Sequence, residues 1–130
     1  MIFDTSFVID IMNKDVGAVK KLNEIVSRGE LGVITTPTLF ELYSGMARST
    51  KQEAEKQKIL YTISQLLVWH LEPRGAEKGG EIDGKLITEG QKIDPIDSMI
   101  AGIAMANGEK LLTRNVKHFS KIAGLKVETY

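Results

Sequence analysis

IDPIDSMIAGIAMANGEKLLTRNVKHF, residues 93–119, reads as a helix, a tight turn and a buried strand, with a carboxylate where the helix begins. Asp94 followed by Pro95 is a helix start: a short side-chain acceptor caps free backbone amides, and proline suits the first helical position. Asp97 then falls in the first turn. Met99, Ile100, Ile103 and Met105 supply bulk along the helix, whereas Ala101, Gly102, Ala104 and Ala106 are small enough to let its backbone approach a sheet. Asn107 and Gly108 end it, and Lys110 to Thr113 forms a short apolar strand that Arg114 and Asn115 leave. A helix of about a dozen residues is roughly 18 Å long and runs back antiparallel to the strand after it. Asp97 and Asn115 are therefore expected at one edge, beyond the carboxyl ends of the strands, where open α/β sheets bind ligands.

Outward from that stretch the pattern repeats. Met1 to Phe3 reads as a strand delivering Asp4, Thr5 and Ser6 to its carboxyl end, with Phe7 to Met12 continuing as helix. Asp15 opens a second helix to about Arg28, with Val19, Leu22, Ile25 and Val26 at helical spacing. Leu31 to Thr35 is a second strand, and Thr36 with Pro37 starts a helix that carries Glu41 about one turn in. Ser49 to about Leu67 is amphipathic. Val68 to Leu71 is a third strand candidate, with His70 read as structural beside Trp69. Glu72 and Pro73 lead into a charged, glycine-rich segment, expected to be helical, and Leu125 to Glu128 is an edge strand. Strands alternating with helical segments argue an α/β fold with a parallel sheet covered on both faces, two of its connections holding two helices each.

At 130 residues the chain fits one domain, 1–130. Without cysteine, any metal must be held by carboxylate, amide or imidazole groups, and two histidines make a zinc cluster a poor expectation. No apolar run reaches the roughly 20 residues a membrane span needs, and the start lacks the form of a signal peptide, so a cytoplasmic protein with no membrane association is expected. Seventeen basic and seventeen acidic side chains cancel, so the overall field does not announce a nucleic-acid binder.

Three carboxylates recur in one context: Asp4 ending the first strand, Glu41 in the helix after the second, and Asp97 opening the helix before the fourth. Each has a plain reading by itself. Asp4 can be an N-cap, Glu41 can complete a capping box with Thr38, and Asp97 can complement a helix dipole. Asp94 is mainly a cap, Asp10 a polar position within the first helix, and His118 a surface side chain near Asn115. Gathered at one edge without lysine partners, however, Asp4, Glu41 and Asp97 repel one another unless a hard divalent cation, Mg²⁺ or Mn²⁺, joins them.

MIFDTSFVID, TPTLFELYSG and PIDSMIAGIAMANGEKLLTRNVKHF resemble, in order and spacing, the three signatures of the PIN-domain family, and more narrowly its VapC-type toxins of prokaryotic toxin–antitoxin pairs. The resemblance spans nearly the whole chain. It implies an α/β/α sandwich around a parallel sheet, and a metal-dependent ribonuclease whose acidic residues match Asp4, Glu41 and Asp97. Where relatives often carry a fourth acid after the fourth strand, this chain has Asn115, with His118 where many have Asp. One firmly bound ion is then expected, with a second arriving alongside RNA. The resemblance also implies a homodimer and a small antitoxin partner, with the helices of Pro37 to Leu67, through Tyr43, Met46 and Tyr61, as contact candidates.

The expected chemistry is phosphodiester hydrolysis by a metal-activated water, with Asp4 and Asp97 as principal ligands and Glu41 binding directly or through water. Thr5, Ser6, Thr113 and Asn115 are auxiliary candidates, with Asp94 behind them. Arg48, Lys51, Arg114 and Lys117 flank the edge and are the candidates for contacting RNA phosphates. A catalytically weak binding module is the main alternative reading. A phosphoacceptor receiver ranks last, since it wants a second acid beside Asp4, where Phe3 stands.

Overall fold

In the computed structural model, which describes all of residues 1–130, the chain builds a five-stranded parallel sheet between two layers of helices. The strands are short: β1 (Ile2–Phe3), β2 (Val33–Thr35), β3 (Leu67–Trp69), β4 (Leu111–Leu112) and β5 (Val127–Glu128), in the order β3-β2-β1-β4-β5. Helices α1 (Thr5–Met12) and α2 (Val16–Ser27) join β1 to β2, α3 (Thr36–Ala47) and α4 (Gln52–Ser64) join β2 to β3, and α5 (Pro73–Thr88) and α6 (Pro95–Ala106) join β3 to β4. A short α7 (Val116–Phe119) precedes β5. Three connections, not two, therefore hold a helix pair; the glycine-rich segment and the helix after it make the third. No helix is long and apolar enough to cross a membrane.

Alternation along each strand divides the core into two. Ile2, Val33 and Leu111 point to a cluster completed by Ile82, Leu86, Ile100, Ile103 and Phe119 from α5, α6 and α7. Phe3, Ile34 and Leu112 point the opposite way, onto Phe7, Val8, Ile25, Leu42 and Ile59 from α1 to α4. A slip of one residue in any strand exchanges these sets, so the register is strongly specified.

The observed register also positions the polar edge. Ile2 pairs with Val33, and Phe3 with Leu112, which carries the next residues, Thr35, Asp4 and Thr113, to adjacent strand ends. β1 is central, the chain leaving it first toward β2 and later crossing to β4, so Asp4 and Thr113 flank the point where the strand order reverses.

The glycines of α5 serve a close crossing. A Cβ added at Gly102 of α6 would lie 2.5 Å from the backbone nitrogen of Gly79, and one at Gly79 would lie 2.9 Å from the Ser98 carbonyl. The two helices meet backbone to backbone, which offsets the propensity glycine costs within a helix. β3 stops at Trp69, so His70 lies beyond the strand and is exposed.

Candidate active site at the carboxyl edge of the sheet

Asp4 follows the last residue of β1 and caps α1. Its Oδ1 accepts the Thr5 backbone N–H at 2.8 Å, and its Oδ2 accepts the hydroxyls of Ser6 at 2.9 Å and Thr113 at 2.7 Å. The capping residue thus lies at the candidate site, only 4% exposed. Thr113 is itself fixed, its Oγ1 accepting the Asn115 backbone N–H at 2.9 Å.

Glu41 has no part in a capping box. The N-cap of α3 is Thr35, whose hydroxyl takes the Thr38 N–H. The Glu41 carboxylate instead crosses to α1, where the Thr5 hydroxyl donates to its Oε1 at 2.6 Å. Thr5 therefore couples two acidic side chains: its N–H serves Asp4 and its O–H serves Glu41. Burial raises the Glu41 carboxyl above its ordinary value, the Thr5 hydrogen bond opposes that rise, and the charges of Asp4 and Asp94 add to it.

Asp97 lies in the first turn of α6, whose cap is Asp94, accepting the Ile96 N–H at 2.8 Å. Partial burial pushes the Asp97 carboxyl up to about 6, the Asp4 charge contributes next, and Glu41 and Asp94 add smaller increments. The opposing influence is His118, whose Nδ1 stands 3.5 Å from Asp97 Oδ2. The same ring nitrogen lies 2.8 Å from the Asn115 side-chain amide. His118 is thus half-buried and turned toward the carboxylates, not a detached surface group. Its spacing from Asn115 on a single short helical turn was the available signal.

Asp4, Glu41, Asp94 and Asp97 therefore share one electrostatic field, with neither lysine nor arginine paired to any of them. Their oxygens, with the hydroxyls of Thr5, Ser6 and Thr113 and the amide of Asn115, form a hard donor set suited to Mg²⁺ or Mn²⁺. No three His, Asp or Glu side chains stand close enough to close on a single ion. The set fits a cation that keeps much of its water and takes one or two carboxylates directly, as Mg²⁺ commonly does.

The four candidate cations fall into two groups. Arg48, Lys51 and Lys117 are exposed, with Arg48 Nε donating only to the Ser44 carbonyl at 3.2 Å. Arg114 is held: its Nη1 lies 2.9 Å from Asp10 Oδ2. Asp10 is consequently not a solvated helix position. It is 7% exposed and also accepts the Tyr130 hydroxyl at 2.6 Å, a contact across the length of the chain that nothing local announces. Tyr43 and Met46 pack against the core, because they share the inward phase of α3 with Leu39 and Leu42. Phe40, 66% exposed, and Tyr61, 72% exposed, face outward instead.

A family model described as PIN domain matches residues 1–125. The chain is 30% identical over 128 residues to a tRNA(fMet)-specific endonuclease VapC of Shigella flexneri, an alignment covering 98% of this chain and 95% of that protein. The VapBC2 structure from Rickettsia felis, bound to a promoter DNA fragment, superposes with a TM-score of 0.90 at 26% identity, covering 100% of this chain and 99% of that one. DNA-bound VapBC from Salmonella typhimurium gives a TM-score of 0.87 at 30% identity, covering 98% and 96%.

Proposed function

This chain belongs to the PIN-domain family, and on that premise we propose that it is a ribonuclease, the toxin of a VapBC-type toxin–antitoxin pair, hydrolysing RNA phosphodiester bonds with Mg²⁺ or Mn²⁺ at Asp4, Glu41 and Asp97. The observation that carries the reading is an acidic edge with neither lysine nor arginine paired to its carboxylates, in which burial and mutual repulsion hold Asp97 up to about 6 and raise Glu41 against the opposing influence of His118 on Asp97. Asp4 and Asp97 are the principal ligands, with Glu41 binding directly or through water. When bound, such a cation lowers the pKa of a water, orients it and offsets charge developing on the phosphate.

The remaining work belongs to the chain. Ser6 and Thr113 occupy Asp4 Oδ2 from two elements and fix its plane. Thr5 orients Glu41 against Asp4. Asp94 caps α6 and so sets the angle at which Asp97 enters the site. Asn115, tied to His118, offers a neutral oxygen where a fourth charge would otherwise stand.

The partners follow from the same reading. We place RNA at the acidic edge, and a small antitoxin against the α3–α4 surface, where Phe40, Leu60 and Tyr61 expose apolar area. A homodimer in the cytoplasm completes the proposal. The test is cleavage of a labelled single-stranded RNA, and of a tRNA as suggested by the Shigella relative, with EDTA, Mg²⁺ or Mn²⁺. Cleavage that requires the cation and disappears in Asp97→Asn supports the proposal. A wild-type protein that binds RNA but cleaves neither substrate with either cation would identify a binding module instead.

A further inference from the structure

The ribonuclease reading leaves one buried acid without a task. Asp10 lies on α1, the helix that Asp4 caps, and a single oxygen, Oδ2, receives both the Tyr130 hydroxyl and the Arg114 guanidinium. Tyr130 is set independently: its ring meets Phe7 edge-on, with centroids 4.7 Å apart. Its hydroxyl also lies beside Ser6, whose own hydroxyl donates to Asp4. Arg114 directly follows Thr113, the other hydroxyl on Asp4. The Asp10 group therefore touches the acidic site through two routes, one along α1 and one through the turn after β4.

The guanidinium itself stays open. Arg114 has a side chain 58% exposed, and Asp10 engages one of its nitrogens, whereas its planar fork carries five N–H donors. A cation pinned at one corner, with its remaining donors in water, loses little conformational freedom when an anion arrives. Arg48, Lys51 and Lys117 have no comparable anchor on a buried acid. The site also needs such a group, since a polyanion must approach a cluster of carboxylates on a chain of zero net charge.

We propose that Arg114 is the substrate-phosphate ligand of this site and that Asp10 and Tyr130 are positioning residues that hold its guanidinium at the edge of the carboxylate cluster. This inference rests on the proposed action on RNA. Asp10 keeps Arg114 from wandering over the surface or folding onto the carboxylates, where it would neutralise them. Tyr130 fills the remaining hydrogen-bonding capacity of the shared oxygen and fixes the rotamer of Asp10.

The test measures binding of a labelled single-stranded RNA oligonucleotide to the full chain carrying Asp97→Asn, across a salt series, with KM and kcat measured in the otherwise native enzyme. Arg114→Ala is expected to weaken binding roughly five- to tenfold and to reduce the slope of log affinity against log salt by about one phosphate contact. In kinetics it raises KM more than it lowers kcat. Asp10→Asn is expected to give a smaller loss of the same kind, and no further loss in a chain already carrying Arg114→Ala, because it acts only through the guanidinium. Tyr130→Phe, which keeps the ring on Phe7, separates positioning from folding: it leaves the melting temperature nearly unchanged and still raises KM. The proposal is overturned if Arg114→Ala leaves the salt slope unchanged, or if Asp10→Asn costs as much without Arg114 as with it, the signature of a staple that only holds the fold. A wild-type chain that cleaves no RNA, yet shows these changes in binding, would remove the ribonuclease reading and leave this inference standing.

Discussion

Glu128 and Asp97 are both carboxylates among charged neighbours, and their surroundings push them in opposite directions. Glu128, on β5, receives Lys21 at 2.9 Å, Arg28 at 3.0 Å and Lys110 at 3.8 Å. Its carboxyl is pulled down to about 2, first by the hydrogen bond from Lys21. Asp97 has three acids in its field and one histidine at 3.5 Å, and is pushed up to about 6. Both patches arise in a chain whose charges cancel in total, so the balance hides an uneven distribution. Cations are gathered where they clip the last strand to α2 and β4, and none is paired with Asp4, Glu41, Asp94 or Asp97. The first arrangement stabilises the fold; the second leaves a field that an added cation would satisfy.

Removing a charge from each patch should separate these roles most widely. Asp97→Asn is expected to abolish cation-supported RNA cleavage, by something on the order of a thousandfold, since several kcal/mol of charge stabilisation are lost with the ligand. The same substitution should raise the melting temperature of the metal-free protein, because a repelling charge has gone. An Asp97→Asn protein with unaltered cleavage would mean that the reaction runs elsewhere.

The two patches also titrate in opposite senses. Asp97 and Glu41 have raised folded-state values, so their contribution favours the native state fully at pH below their ordinary range. For Asp97 it is lost as pH rises through about 6. Glu128 is depressed, so its contribution is present above its ordinary value of 4.5 and is lost as pH falls toward about 2. Metal-free protein should therefore become more stable as pH is lowered from 8 to 5, by about 1 kcal/mol after allowance for solvent screening of the part-exposed Asp97. Mn²⁺ should flatten or reverse that slope, read as melting temperature against pH. A slope unchanged by Mn²⁺ would deny the acidic edge its cation.

Glu128→Gln should act on stability alone. Exposed ion pairs contribute little singly, but three cations converge here, and a loss of about 1 kcal/mol, or roughly 3 °C in melting temperature, is expected. Cleavage rates should stay within about twofold, since the substitution leaves the acidic edge intact. A large loss of activity at constant stability would make the two patches one system.

Of these two patches, the acidic edge is the one legible in the sequence. The Asp94-Pro95 cap, the small-residue stripe of α6 and the Gly108 stop are local signals, and local signals place Asp4 at the end of its strand, Asp97 in the first turn of its helix and Glu41 about one turn into its own. Glycine was harder: Gly75, Gly79 and Gly102 weaken helices by propensity, and only the crossing of α5 on α6 shows what their missing side chains permit. Asp10 reads only as a polar position within the first helix, because its partners, Arg114 and Tyr130, lie more than a hundred residues away. Glu41 was compared with its own helix, whereas its hydrogen bond comes from Thr5 on another. Contacts between distant segments carry no periodicity, and a single sequence does not display them.

Asn115 gives the finest test, because it sits where the acidic edge stops short of a further charge. Its amide faces His118 at 2.8 Å, and the same ring nitrogen faces Asp97 at 3.5 Å. Asn115→Asp adds an oxygen ligand and a negative charge at constant size. In the metal-free protein that charge joins an unneutralised cluster, so the melting temperature should fall slightly, by about 1–2 °C. With Mg²⁺ or Mn²⁺ the same charge becomes attractive, and the cation concentration giving half-maximal cleavage should drop roughly tenfold, as affinity for hard cations follows ligand charge. If a cation occupies this edge, metal-free stability must fall while cation affinity rises. A fall in stability with no change in the cation requirement would show that Asn115 faces the field of the carboxylates without reaching the ion, leaving Asp4, Glu41 and Asp97 to hold it alone.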